Sequence, residues 1–182
     1  MRKSDSLNRM MMDCSNTLLS CDPSLIDFFI KLSFRSTVAY ELQEVVECLS
    51  NVESWFRTLL KSDITIPDNF DHAFFCKGLD IIIEFEHHIC VAKILILLYN
   101  YGEIFGNEMR RAVFGNLLMQ KYFFQLFLHW DPGIRSTFHQ LIVFKSLKNK
   151  RKQIRELPAK SPNFSCELFP PFFHPHSYTF LV

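Results

Sequence analysis

The sequence predicts an all-α protein built as a stack of antiparallel helix pairs, with an irregular helical bundle as the alternative packing. Three observations predict it. Twenty phenylalanines stand against five glycines, a composition that fills bulky cores and leaves few tight turns. Apolar residues recur at helical spacing along most of the chain as far as Phe144. Two Asp-Pro pairs, Asp22-Pro23 and Asp131-Pro132, read as helix starts. Aspartate caps orphan N–H groups, and proline at the first helical position loses no hydrogen bond. At 48% hydrophobic and 21% charged, the 182 residues fit one globular domain. A disordered chain, a collagen-like repeat and a disulfide miniprotein are excluded.

Seven or eight helices are expected. Residues 1–6 read as a frayed end, and Leu7 to Leu19 has loose helical period. Pro23 to Phe34 follows, with Leu25, Ile26, Phe29, Ile30 and Phe34 at core spacing. Ser36 can cap a helix over residues 37–49, whose apolar face is Val38, Leu42, Val45, Val46 and Leu49. Asn51 can cap another over 52–61, with Trp55, Leu59 and Leu60 inward. Residues 62–69 form a loop, and Asp68 or Asn69 can cap a helix over 70–85. Residues 86–101 make the most apolar helix, exposing only Glu86, Lys93 and Asn100, so it should be central. Asn107 can cap a long apolar run to Trp130, with a break near Gln120. A last helix starts at Pro132, turns Ile134, Phe138, Leu141, Ile142 and Phe144 inward, and ends near Gln153.

The net charge of +1 hides an asymmetry. Residues 1–144 carry 13 basic and 17 acidic side chains, whereas 145–160 carry 7 basic and 1 acidic. The tail, residues 157–182, holds five of the eight prolines and five phenylalanines: Phe164, Phe169, Phe172, Phe173 and Phe180. Proline at this density forbids helix, while the apolar content argues against a purely solvated linker. The expected division is therefore a single helical domain over 1–156 and a Pro/Phe-rich tail over 157–182. The tail either packs extended along the body or docks something else.

The six cysteines form no CxxC pair, and no secretory h-region opens the chain. Reduced thiols, acting as small buried hydrophobes, are expected in a cytoplasmic or nuclear setting. The most apolar run, residues 89–99, is too short for a transmembrane helix.

Trp130-Asp131-Pro132-Gly133-Ile134-Arg135 is the sharpest local pattern. Arg135 lies in a first helical turn, where the helix dipole disfavours a cation, so it should have a carboxylate partner. The pattern resembles the turn and second helix of a HEAT repeat, which implies an armadillo/HEAT-like stack. In that family the Asp and Arg link neighbouring repeats. The departure is Phe138, where a HEAT repeat has a small residue. No second copy is found. A wider resemblance runs from Glu53 to Leu147, through Trp55-Phe56-Arg57, His87-His88, Lys93-Ile94-Leu95, Phe123-Phe124 and Phe127-Leu128-His129-Trp130. It is similar to an uncharacterised eukaryotic helical family of fungi and amoeba-like organisms. That resemblance implies helices, an intracellular setting and members much longer than this chain; it implies no activity.

No nucleophile elbow, HExxH, Walker loop or dinucleotide fingerprint is present. Adjacent His87 and His88 diverge by about 100° on a helix and do not share a metal. His129 and His139 could approach across the turn, yet nothing completes four ligands. No catalytic, cofactor-binding or metal-ligating residue is assigned, and no cofactor is expected. His88 should pack at a helix start, and His129 should sit partly protonated near a helix end. The basic run, with Lys148, Lys150, Arg151, Lys152 and Arg155, reads as a solvated helix end or as a docking site for anionic lipid or an import receptor. Nucleic acid is the weaker match, because the acidic body repels phosphates. The expected function is a non-enzymatic scaffold that binds a protein partner. A peripheral membrane or trafficking module, docked through residues 145–155, is the alternative.

Overall fold

The computed structural model describes residues 2–143, and of residues 2–8 the backbone alone. The described residues form eight α-helices and one π-helical stretch, with no strand among them. In chain order these are α1 (Arg2–Cys21), α2 (Leu25–Ser36), α3 (Leu42–Lys61), α4 (His72–Glu84), α5 (His88–Tyr101) and α6 (Asn107–Arg110). The π-helical stretch Arg111–Lys121 continues α6, and α7 (Phe123–Phe127) and α8 (Pro132–Leu141) complete the order. The expected domain limit at residue 156, the basic residues Lys148, Lys150, Arg151, Lys152 and Arg155, and the tail all lie outside the described residues.

Helices α1, α3, α5 and α8 pack each against the next, and so do α2, α4, the π-helical stretch and α7. Contacts of α2 with α3, α4 with α5 and α7 with α8 join the two rows. Helix α5 touches α3, α4 and α8, which is the central place its composition predicts. It buries Cys90, Val91, Ile94, Leu95, Leu97, Leu98 and Tyr101. Its outward face is less polar than expected, because Ile89 and Ile96 are exposed there beside Asn100.

Several boundaries differ from the sequence expectation, each for a local reason. Residues 2–6 are helical, since no glycine or proline interrupts the chain before Pro23. The expected helices over 37–49 and 52–61 are one helix, α3, with Asn51 inside it. Val45, Cys48, Leu49, Val52, Trp55, Phe56 and Leu59 form one continuous buried stripe, and its burial outweighs the weak helix preference of asparagine. Leu60 lies off that stripe and is exposed. Ser36 ends α2 rather than capping α3; Glu44 instead accepts a hydrogen bond from the Val38 N–H, 2.9 Å away. The cap of α4 is Asp71, not Asp68 or Asn69, and its carboxylate accepts from the Phe74 N–H at 2.9 Å. Asn107 is the first residue of α6 and makes no side-chain cap bond.

Polar ties and aromatic packing fix the rows. Asn16 donates to Ser54 and accepts from Thr58, and Trp55 Nε1 donates to Ser15 at 2.9 Å, which fastens α1 to α3. Lys31 bridges Asp27 and Asp71, each at 3.0 Å, between α2 and α4. Fully buried Phe56 packs its ring against Phe75, Tyr101 and Phe105. Gly78 lets α4 approach α2 closely: a Cβ there would lie 2.1 Å from Phe34 Cδ2.

Candidate functional site

The Asp131 carboxylate accepts from the N–H groups of Gly133 (2.7 Å) and Ile134 (3.1 Å), with Pro132 at the helix start. The Asp-Pro signal therefore works as a cap at α8, and the N–H of Ile134, above all, holds the carboxyl below its usual range. At Asp22-Pro23 the chain makes a turn before α2, held by Ser24 on the Asp22 carboxylate. Arg135 departs from expectation. Its guanidinium donates to the His129 carbonyl at 2.7 Å and has no carboxylate partner among the described residues. That carbonyl, left free where α7 ends, compensates the cation in the first turn. His129 is buried, and its Nδ1 accepts from the Asp131 N–H at 3.1 Å, a role that needs Nδ1 without a proton.

Trp130 closes the apolar run in sequence, but in the structure it is 72% exposed. It stacks on His129 and meets His88 edge-on, with ring centres 5.5 and 6.1 Å apart. Those contacts bring two corners together. One is the α4–α5 connection, where Phe85 and Ile89 are exposed; the other runs from α7 to α8, where Phe124 is 76% and Leu128 70% exposed. Phe124 and Leu128 are four residues apart and share a face. A second link is Gln125, which donates to Glu86 at 2.8 Å. Glu86 adopts φ 52°, a left-handed backbone that turns the chain after α4.

A polar network behind the corner braces it, and the sequence reading missed it. Asp80 is 8% exposed and accepts from Lys121, from Tyr122 at 2.6 Å and from Lys77 at 3.1 Å. Lys121 also reaches Glu84 at 2.8 Å. Burial alone would raise the Asp80 pKa, but Lys121, Tyr122 and Lys77 outweigh it and hold the group at about 2. Burial, then the bond to Asp80, pushes Tyr122 up to about 12. The sequence shows Asp80 only as a polar break in an apolar stretch, and Lys121 lies 41 residues away.

Beside this network lies an open cleft of about 450 Å³, lined in part by His72, Cys76, Lys77, Asp80, Asn116 and Lys121. Both lysines are engaged by Asp80, and burial followed by the charge of Asp80 pushes the Cys76 thiol up to about 11. Neither group is activated as a nucleophile. No group of three or more His, Cys, Asp or Glu among the described residues is placed to hold a metal ion. His139 packs on Phe127 instead of approaching His129. Cys48 and Cys90 are buried as expected, whereas Cys14 and Cys21 are exposed. No helix among the described residues is long and apolar enough to cross a membrane.

The chain is 26% identical over 115 residues to a UPF0592 membrane protein of Schizosaccharomyces pombe. The match covers 63% of this chain and 12% of that protein. No solved structure matches the chain. A family described as a protein of unknown function, DUF1765, matches residues 26–146, which hold everything from α2 to the braced corner and agree with the helical family expected over 53–147. The chain belongs to the DUF1765 family.

Proposed function

We propose that the chain is a non-enzymatic helical scaffold that binds a protein partner through the corner formed by Phe124, Leu128 and Trp130 with Phe85 and Ile89. One observation carries this reading: three large apolar side chains within a seven-residue segment, Phe124, Leu128 and Trp130, are each at least 70% exposed, between the Lys121 ion pairs and the capped start of α8. Clustered exposed apolar side chains rimmed by polar groups mark interaction sites, and tryptophan is enriched among binding hot spots. The two rows of helices support a stack of helix pairs of the armadillo/HEAT kind, whose surfaces serve docking. A photoreactive residue at position 128 of the full chain tests the reading. It should give a covalent adduct with another protein in cells, and the same residue at exposed Tyr40 should not. Equal capture at both positions would refute the reading.

A second reading has its own support, since the relative in fission yeast carries the name membrane protein. In it, Lys148, Lys150, Arg151, Lys152 and Arg155 dock the chain on an anionic cytoplasmic surface. Vesicles containing phosphatidylserine should sediment the chain, and replacing the first four by Glu should abolish this. Unchanged sedimentation would remove the reading.

A further inference from the structure

Helix α1 has an exposed apolar face of its own, and that face carries two thiols. Met11, Cys14, Leu18 and Cys21 recur at spacings of three, four and three, which places them on one side of the helix. All four are exposed, Met11 at 66% and Leu18 at 45%. The neighbouring stripe does the packing. Ser15 and Leu19 are buried, and Ser15 and Asn16 bond to Trp55, Ser54 and Thr58 of α3. Those contacts hold the thiol-bearing side outward.

Several thiol chemistries do not fit this arrangement. Seven residues of helix separate the two Cα atoms by about 10 Å, beyond the roughly 7 Å that a disulfide tolerates. No group of three or more His, Cys, Asp or Glu among the described residues is placed to hold a metal ion with them. The helical neighbours of Cys14 are Met10, Met11, Thr17 and Leu18, and Cys21 shares the last two. None is the cation or histidine that activates a redox or catalytic thiol. The surroundings are instead apolar, with Met10 also 67% exposed. Cysteines on an amphipathic helix are substrates for reversible S-acylation. The charge agrees with a lipid surface. Helix α1 carries Arg2, Lys3 and Arg9 against Asp5 and Asp13, a basic excess on a body whose first 144 residues are net acidic. Anionic leaflets attract such an excess.

We propose that Cys14 and Cys21 are S-acylated from a long-chain acyl thioester, and that the two acyl chains, with Met11 and Leu18 beside them, hold α1 on an anionic membrane surface. Each Sγ attacks the acyl carbonyl carbon. The carbonyl–sulfur bond of the donor breaks as the bond to Sγ forms, the cysteine proton leaves with the donor's thiol, and nothing is oxidised or reduced. One acyl chain gives marginal membrane binding and two give a stable anchor, which is what a pair of thiols on one face supplies. Helices α1 and α8 lie at opposite ends of one row, so this site is separate from the corner at Trp130 and neither reading depends on the other.

The full chain, expressed in eukaryotic cells fed an alkynyl palmitate, tests the proposal. It should take up label that hydroxylamine removes. C14S and C21S alone should each keep about half of it, and C14S/C21S should lose at least tenfold. M11S/L18S keeps both thiols but loses the apolar face, and should label at least threefold less. Washing the membrane fraction with about 1 M salt screens any docking by the basic run. After that wash the wild type should stay with the membranes, and C14S/C21S should be released at least fivefold more. Absence of hydroxylamine-labile label overturns the proposal. So does label that persists in C14S/C21S, or label undiminished in M11S/L18S.

Discussion

The two ends of the molecule are built differently. Between α2 and α5, long helices pack through apolar contacts, with Phe56 and Phe75 fully buried and Trp55 nearly so. From α6 onward the helix winds as π turns, breaks at Tyr122, and resumes as the five residues of α7. There Lys121 and Tyr122 tie back to Asp80 of α4, and Phe124, Leu128 and Trp130 face outward while Phe138 is fully buried. Both regions bury aromatics, but the three most exposed large apolar side chains of the second region lie within one short segment, 124–130, and π-helical distortions like the one preceding it recur at functional sites.

Substitutions can break this comparison, beginning with the largest effect. Phe56→Ala removes a ring from the first region's centre and should cost about 3–5 kcal/mol, read by urea unfolding. Asp80→Asn leaves Lys121 with Glu84 and the Tyr122 ring and should cost roughly 1–3 kcal/mol at neutral pH. The same residue makes a pH prediction. Its carboxyl is lowered from an ordinary 3.8 to about 2 in the folded protein, so its contribution is complete above about pH 4 and is lost as pH falls through about 2. Unfolding curves should show the wild type losing stability across that window and the Asn variant losing less. If both fall in parallel, Asp80 is not what braces the second region.

Two glycines sharpen the contrast. Gly78→Ala drives a Cβ into Phe34 and should cost about 1–3 kcal/mol. Gly115→Ala, in the π-helical stretch, meets nothing closer than 3.8 Å and should gain up to about 1 kcal/mol by lowering unfolded-state entropy. Thermal unfolding of both variants checks the opposite signs.

Most of the first region was legible in sequence, because its apolar period and its burial coincide. Helix α5 and the inward faces of α2 and α8 follow directly from that period. The fused α3 was misread because Asn51 resembles a cap, and only tertiary burial of the stripe on either side overrules it. The second region was less legible. Trp130 and Phe124 carry the same hydrophobic signal as core residues, and periodicity cannot separate an apolar side chain that packs from one that stays outside. The Asp131 cap was visible because its chemistry is local, within three residues. The Asp80–Lys121–Tyr122 network was invisible because its partners are 41 and 42 residues apart and meet only through the fold.

The central claim is that the corner's large apolar groups belong to the surface, where they serve binding rather than the fold. Urea unfolding of the F124S/L128S/W130A chain beside F56A tests this most directly. The triple variant should lose less than about 1 kcal/mol, while F56A alone loses about 3–5. A triple variant as unstable as F56A would show that the corner is core, and the docking account would fall.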